Sequence, residues 1–349
     1  MKLTTVAAVC VLFSSIAHAE EGFKIRYPTG GLLGPEMAYF DIKPGLLVSV
    51  AIRETDVTQI NGDDGRQAWT PPTTNAKGVT QTALADYRQH LTVVDMGIGY
   101  IFPQMVGAGH VFVAANLPYF LQIDRTLSFP EVTATGANGT PVTPGPAYLA
   151  GLNAQAKANT IASSGVGDTE LNATWIYLRD NLKLSAGLTI VIPTGDFYSL
   201  PSGAQGTPAI NIGFGHYNTF RPTITLTYKA TDDLTLGARA AYGINTTNTV
   251  DNWKSGNFEA LDLAASYKTP VGAFGMQVIS VKQIQDDTGG LSGNQPGGYG
   301  ANRYNAVNAG VFYTTRVLGC GLNLGYTKTM HATNALVADT IQARLTKAF

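Results

Sequence analysis

Between Phe220 and Ile244 the chain alternates apolar and polar residues with a period of two, stops at a short turn, and alternates again. Phe220, Pro222, Ile224, Leu226 and Tyr228 fall on one face, and Arg221, Thr223, Thr225 and Thr227 on the other. After the turn at Ala230 to Asp233, Leu234, Leu236, Ala238, Ala240, Tyr242 and Ile244 oppose Thr235, Gly237, Arg239, Ala241 and Gly243. Successive side chains of a strand point to opposite faces, so this is an antiparallel hairpin with one greasy and one polar surface.

The unit recurs. About twelve segments of membrane-crossing length, near 45–58, 87–103, 109–124, 166–178, 182–194, 217–229, 233–246, 254–267, 272–285, 302–314, 318–330 and 337–349, carry the pattern, each long enough for the roughly 9–11 residues a tilted strand needs. The fourth sets Leu171, Ala173, Trp175 and Tyr177 against Glu170, Asn172 and Thr174; the eighth sets Leu261, Leu263, Ala265 and Tyr267 against Asp262, Ala264 and Ser266. The first, third and ninth carry apolar residues on both faces. Connections after even segments are short (179–181, 230–232, 269–271, 315–318), and those after odd segments are long and rich in Gly, Pro, Asn and Asp (59–85, 125–164, 196–216, 286–301). Tight turns on one side and long loops on the other are what an even-stranded outer-membrane barrel gives when both termini are periplasmic. A soluble sandwich has no reason to keep that alternation. The expected fold is all-β, a transmembrane antiparallel up-and-down barrel.

Aromatic residues mark the short-turn ends of the even segments: Tyr100, Tyr177, Tyr228, Tyr267, Tyr313 and the terminal Phe349. A ring with a polar edge favours the membrane–water boundary, so one periplasmic girdle accounts for all six. Phe349 also has the character of an outer-membrane assembly signal, addressed to the assembly machinery. Lys347 interrupts the last apolar face but can snorkel to the interface.

The first residues read as an export signal: Lys2, an apolar run from Val6 to Ile16, and Ala17-His-Ala19 as cleavage site, giving a signal peptide over 1–19. Its removal leaves Cys320 as the one cysteine, without a disulfide partner, and takes the formal charge from −1 to −2 with the loss of Lys2. That balance implies no nucleic-acid partner. Charged residues are 13% of the chain, about half the globular average, and no later apolar run approaches the roughly 18 residues of a membrane helix. Residues 20–43 lack a sustained period and could fold back as a partial plug of the barrel, 44–349.

An Arg facing lipid near the bilayer midplane costs about 2–4 kcal/mol, so charges opposite clean apolar rows face inward. Arg221, Arg239, Glu170, Asp262, Lys183 and Arg344 are the lumen and selectivity candidates, with Arg53 and Asp95 beside them. No catalytic or metal constellation is present: there is no Gly-x-Ser-x-Gly, His-Glu-x-x-His or Cys-x-x-Cys, and His90, His110, His216 and His331 are scattered. No cofactor is expected. Asp63-Asp64 and Asp286-Asp287 are read as solvated loop charge, a cation or lipopolysaccharide bridge being the alternative. Tyr148, Leu149, Leu152 and Ala156 have helical spacing within the longest loop. A barrel of this size lies between one filled by its own side chains and an open porin, so it can pass or hold a small molecule.

Several short motifs occur in a specific order: Tyr27-Pro-Thr-Gly30, Pro44-Gly45-Leu46, Gly165-Val-Gly-Asp168, Ile192-Pro-Thr-Gly-Asp196, Asn245-Thr-Thr-Asn248, Ser255-Gly256 and Gln283-x-x-Asp286-Asp287. In these the chain resembles the outer-membrane protein family of the meta-pathway of phenol degradation, over nearly the whole mature length. The resemblance implies a barrel transporter for hydrophobic or aromatic compounds, linked to their catabolism. The first strand reads Leu47-Val-Ser-Val-Ala-Ile52, where the family suggests a tyrosine-rich run. Passive passage of a small hydrophobic solute is thus the leading expectation, with outer-membrane lipid and lipopolysaccharide as partners. The alternatives are a structural or adhesive barrel acting through its outer loops and a barrel lipid hydrolase using His216 or His331.

Overall fold

The computed structural model describes residues 26–28, 33–37, 43–70, 72–158, 160–195, 216–249, 252–289 and 303–349. The signal peptide, residues 20–25 and Asp196 lie outside them. Twelve long strands form the wall: β1 (Gly45–Asn61), β2 (Thr80–Val106), β3 (Gly109–Thr135), β4 (Thr169–Arg179), β5 (Leu182–Ile192), β6 (Thr219–Lys229), β7 (Leu234–Asn245), β8 (Phe258–Thr269), β9 (Gly272–Gln283), β10 (Asn305–Val317), β11 (Cys320–Thr333) and β12 (Ala335–Ala348). Each pairs antiparallel with its sequence neighbours, and β1 also pairs with β12, which closes the ring. No helix among the described residues is long and apolar enough to cross a membrane.

The alternation read from the sequence decides which way each side chain points. Ile224 is 60% exposed on the outside while Arg239, on the next strand, is 7% exposed on the inside. Leu226, Leu261, Leu263, Met276, Val311, Ile341 and Leu345 share the outer face with Ile224. So large an apolar surface is stable only against lipid. The apolar band ends at one level on the outside. There Asp124, His90, Asp56, Asp339 and Lys328 sit side by side across five strands, each in register with the next. His90 Nδ1 lies 2.6 Å from Asp56 Oδ1, and Lys328 Nζ 3.7 Å from Asp339 Oδ1.

Two strands are far longer than the expected 87–103 and 109–124. β2 and β3 have 27 residues each. At about 3.3 Å per residue and a tilt near 40° they rise some 65 Å, well beyond an apolar band about 25 Å tall. The projecting part has its own core of Val57, Ile60, Ala68, Ala85, Tyr87 and Leu127. The short strands Thr73–Thr74 and Ile161–Val166 extend it at β2 and β3. The loops expected at 59–85 and 125–164 are therefore shorter than read. The helical spacing is real: the helix Pro146–Ala158 packs Tyr148 and Leu152 against Ala83, Phe129 and Val132, with Leu149 facing out. The connection from β11 to β12 is the single residue Asn334 at φ 49°, an exception to the long outer loops.

Candidate functional site

The inward faces of β4 to β9 carry charge into buried positions, where an ionised group needs a partner. Arg221 on β6 is 3% exposed and its Nη2 lies 3.1 Å from Glu170 Oε2 on β4. Asp262 on β8 is in register with Arg239 on β7, which donates from Nε to Thr225 Oγ1 at 3.2 Å. The remaining partners come from outside the wall. Arg239 pairs with Glu36, Tyr27 donates to Asp262 Oδ2 at 2.8 Å, and Arg221 Nη1 donates to the Arg26 carbonyl at 2.7 Å. Arg26 itself pairs with Asp168 at 2.8 Å and donates to the Tyr217 carbonyl at 2.7 Å, its guanidinium 3.8 Å from the Tyr217 ring centroid. Lys183 Nζ donates to the Glu36 carbonyl at 3.1 Å. The structure therefore brings together five of the six lumen candidates around an N-terminal segment.

That segment includes the short helix α1 (Leu33–Met37), which sets Leu33 and Met37 against Ala264 and Phe312 on the inner wall. Gly237 makes the approach feasible: a Cβ there would lie 3.0 Å from Met37 Sδ and 3.3 Å from Leu33 Cδ2. Toward the outer end the inward surface of β8 to β10 is apolar. Phe258, Ala260, Ile279, Val281 and Ala306 pack with Tyr27 and Tyr304. Sequence reasoning missed this patch, because it took the inward face to be polar throughout. The signal was the ninth segment's apolar residues on both faces, which include Ile279 and Val281.

A hydrogen-bonded chain links this patch to the outer loops. Arg26 Nη1 donates to Thr219 Oγ1 at 3.2 Å, Thr219 to Asn245 Oδ1 at 2.7 Å, and Asn245 Nδ2 to the Gly256 carbonyl at 3.1 Å. The Gly256 amide and Gln283 Nε2 then donate to Asp287 Oδ1 at 2.8 and 2.6 Å. Burial pushes the Asp287 carboxyl up to about 6 against the pull of those donors, and it raises Tyr304 well above its ordinary range. Asp287 was read as solvated loop charge; it is 5% exposed and anchors the loop. Asp286 does face solvent, paired with Arg303. In the other loop Asp63 accepts from Asn334 Nδ2 at 2.5 Å.

The sixth candidate lies apart. Arg344 on β12 faces inward beside Gln342 and Thr340 and makes no ion pair among the described residues. Arg53 and Asp95 pair at 3.4 Å on the same side of the lumen. Tyr100, Tyr228, Tyr267 and Phe349 are exposed on the outside at the short-turn ends, and Tyr177 and Tyr313 are half-buried there. Tyr177 stacks on Trp175 at 6.0 Å, and Tyr313 donates to the Val271 carbonyl at 2.5 Å. Lys347 Nζ sits 5.0 Å from the Phe349 ring centroid. His331 contacts Thr333, and no metal-binding group of His, Cys, Asp or Glu occurs among the described residues.

A closed ring with a lipid-facing apolar band and a polar, partly filled lumen defines a bacterial outer-membrane β-barrel. The chain belongs to the family described as "Putative MetA-pathway of phenol degradation", which matches residues 74–345. Its fold is similar to that of the COG4313 outer membrane channel from Pseudomonas putida F1, with a TM-score of 0.64 at 12% identity over 88% of this chain and 97% of that one. A Pseudomonas aeruginosa FadL homologue gives a TM-score of 0.42 at 10% identity, over 90% of this chain and 92% of that one. No curated protein matches the chain in sequence.

Proposed function

We propose that the chain is an outer-membrane channel through which small hydrophobic or aromatic molecules pass down their gradient, with the N-terminal segment described at 26–28 and 33–37 acting as a plug. The observation that carries this reading is the inward apolar patch of Phe258, Ala260, Ile279 and Val281, which Tyr27 and Tyr304 cover. A barrel for hydrophilic solutes has no use for such a surface, whereas an apolar solute that takes the place of Tyr27 gains about 25 cal/mol for each Å² it buries there. The plug supports the reading as well. It occupies part of the lumen with a segment held by side-chain contacts, so the wall keeps room for a passenger once the segment shifts. The lumen charges set which solutes enter, the aromatic girdle holds the barrel at depth in lipid and lipopolysaccharide, and Phe349 serves assembly.

The test is uptake. Cells whose outer membrane carries the chain should accumulate labelled toluene several-fold faster than cells without it, and deletion of residues 26–37 should raise single-channel conductance in planar bilayers. Equal uptake with and without the chain would overturn the channel reading. One observation favours the adhesive alternative: the tall β2–β3 projection with its own core. Cutting that projection back should abolish function under the adhesive reading and leave toluene uptake intact under ours.

A further inference from the structure

The geometry points to a binding site for the carboxylate of an aromatic acid on the lumen wall of β10 to β12, built by Arg344 and Asn323. This inference rests on the channel reading and names a solute class for it. Arg26, Arg53, Arg221 and Arg239 each meet a carboxylate. Arg344 meets none among the described residues, although it faces inward from a strand that crosses the membrane. A guanidinium in that setting presents a planar fork of donors matched to a carboxylate, and poor solvation strengthens the attraction.

A second observation, independent of the arginine, lies on the next strand. Asn323 is in register with Arg344, points into the lumen between Thr314 on one side and Arg344 on the other, and is 5% exposed. Neither its Nδ2 nor its Oδ1 has a hydrogen-bond partner. A buried amide left unpaired costs roughly 1–3 kcal/mol, so its retention calls for a ligand that pairs with it. Nδ2 supplies a further donor to the carboxylate held by Arg344, and Oδ1 accepts from a hydroxyl on the same solute. Ala51, the β1 residue in register with Arg344, sets only a methyl group beside it. The apolar surface for the ring is Phe312, two residues from Thr314 on the same inward face of β10, which Leu33 and Met37 cover until α1 shifts. Polar head and flat body are thus both provided for.

Calorimetric titration of the mature protein in detergent with benzoate and with the neutral, isosteric benzamide tests the site. Wild type should bind benzoate at least about tenfold more tightly than benzamide, the preference expected from one charge-assisted hydrogen bond. Arg344→Gln should erase that preference and Arg344→Lys keep part of it. Asn323→Asp should erase it by a different route, since the new carboxylate occupies Arg344 itself. Heat-modifiable electrophoretic mobility reports that each variant is a folded barrel. Equal affinity of wild type for the two probes, or a benzoate preference that survives in both Arg344→Gln and Asn323→Asp, would overturn the assignment. Toluene uptake is measured separately, so loss of benzoate binding with intact uptake removes this site and leaves the channel.

Discussion

Arg26 and Asp168, separated by 142 positions in sequence, meet at 2.8 Å with both side chains 2% exposed. One belongs to the N-terminal segment and the other to the turn leading into β4, so this contact fastens the plug to the wall. Breaking a buried pair by removing one partner costs about 3–5 kcal/mol, because the other charge stays buried alone. Arg26→Ala should therefore release the segment and raise single-channel conductance several-fold. The exchange Arg26→Asp with Asp168→Arg should return it toward wild type.

Gly237 holds the second contact of the plug. A leucine there would drive into Met37 and Leu33, and overpacking of this kind costs about 1–3 kcal/mol. The strain falls on α1, a five-residue helix held by side-chain contacts, and not on the closed strand ladder. Gly237→Leu should give a channel with the conductance of the plug deletion and unchanged heat-modifiable mobility.

Ile224 and Thr223 are neighbours in β6 that face opposite solvents. Arginine at 224 meets lipid and should destabilise the barrel by about 2–4 kcal/mol in urea titrations from lipid vesicles. Arginine at 223 meets the lumen and should cost under about 1 kcal/mol. Equal costs at the two positions would contradict the orientation of the wall.

Asp287 makes the outer loops sensitive to acidity in an uncommon direction. Burial raises its carboxyl to about 6, so the folded loop binds a proton more tightly than the unfolded one. The resulting stabilisation is complete below the unfolded carboxylate range near 4 and is lost as pH rises through about 6. Hydrogen exchange over residues 252–289, corrected for intrinsic rates, should show more protection at pH 4.5 than at pH 7.5. Asp287→Asn should flatten that dependence.

The wall was readable because period two survives wherever one face meets lipid. Leu261 and Leu263 outward with Asp262 inward, or Ile224 outward with Arg221 inward, leave one register. The outer reach of β2 and β3 was not readable in the same way. Register shifts between Leu84 and Asp86 and between Thr92 and Val93 move the alternation out of phase, so the pattern fades while the strand continues. Above the lipid the outward residues turn polar as well, as at Arg88 and Thr126, which removes the contrast. Inside, the side each charge faces followed from the rows opposite it. Its partner did not: nothing local in the sequence ties Arg26 to Asp168 or Glu36 to Arg239. The apolar inner patch was hidden for a related reason, since Ile279 and Val281 look like wall residues until Tyr27 and Tyr304 cover them.

β1 begins at Gly45, level with the chain's last residue: the Phe349 amide donates to the Leu46 carbonyl at 2.9 Å. That end of the barrel carries the short turns. Met37 is eight residues back along the chain, a tether of at most about 28 Å. The segment read as a plug is thus tethered to the rim where β1 meets β12, and it can shift without parting any strand from its neighbour.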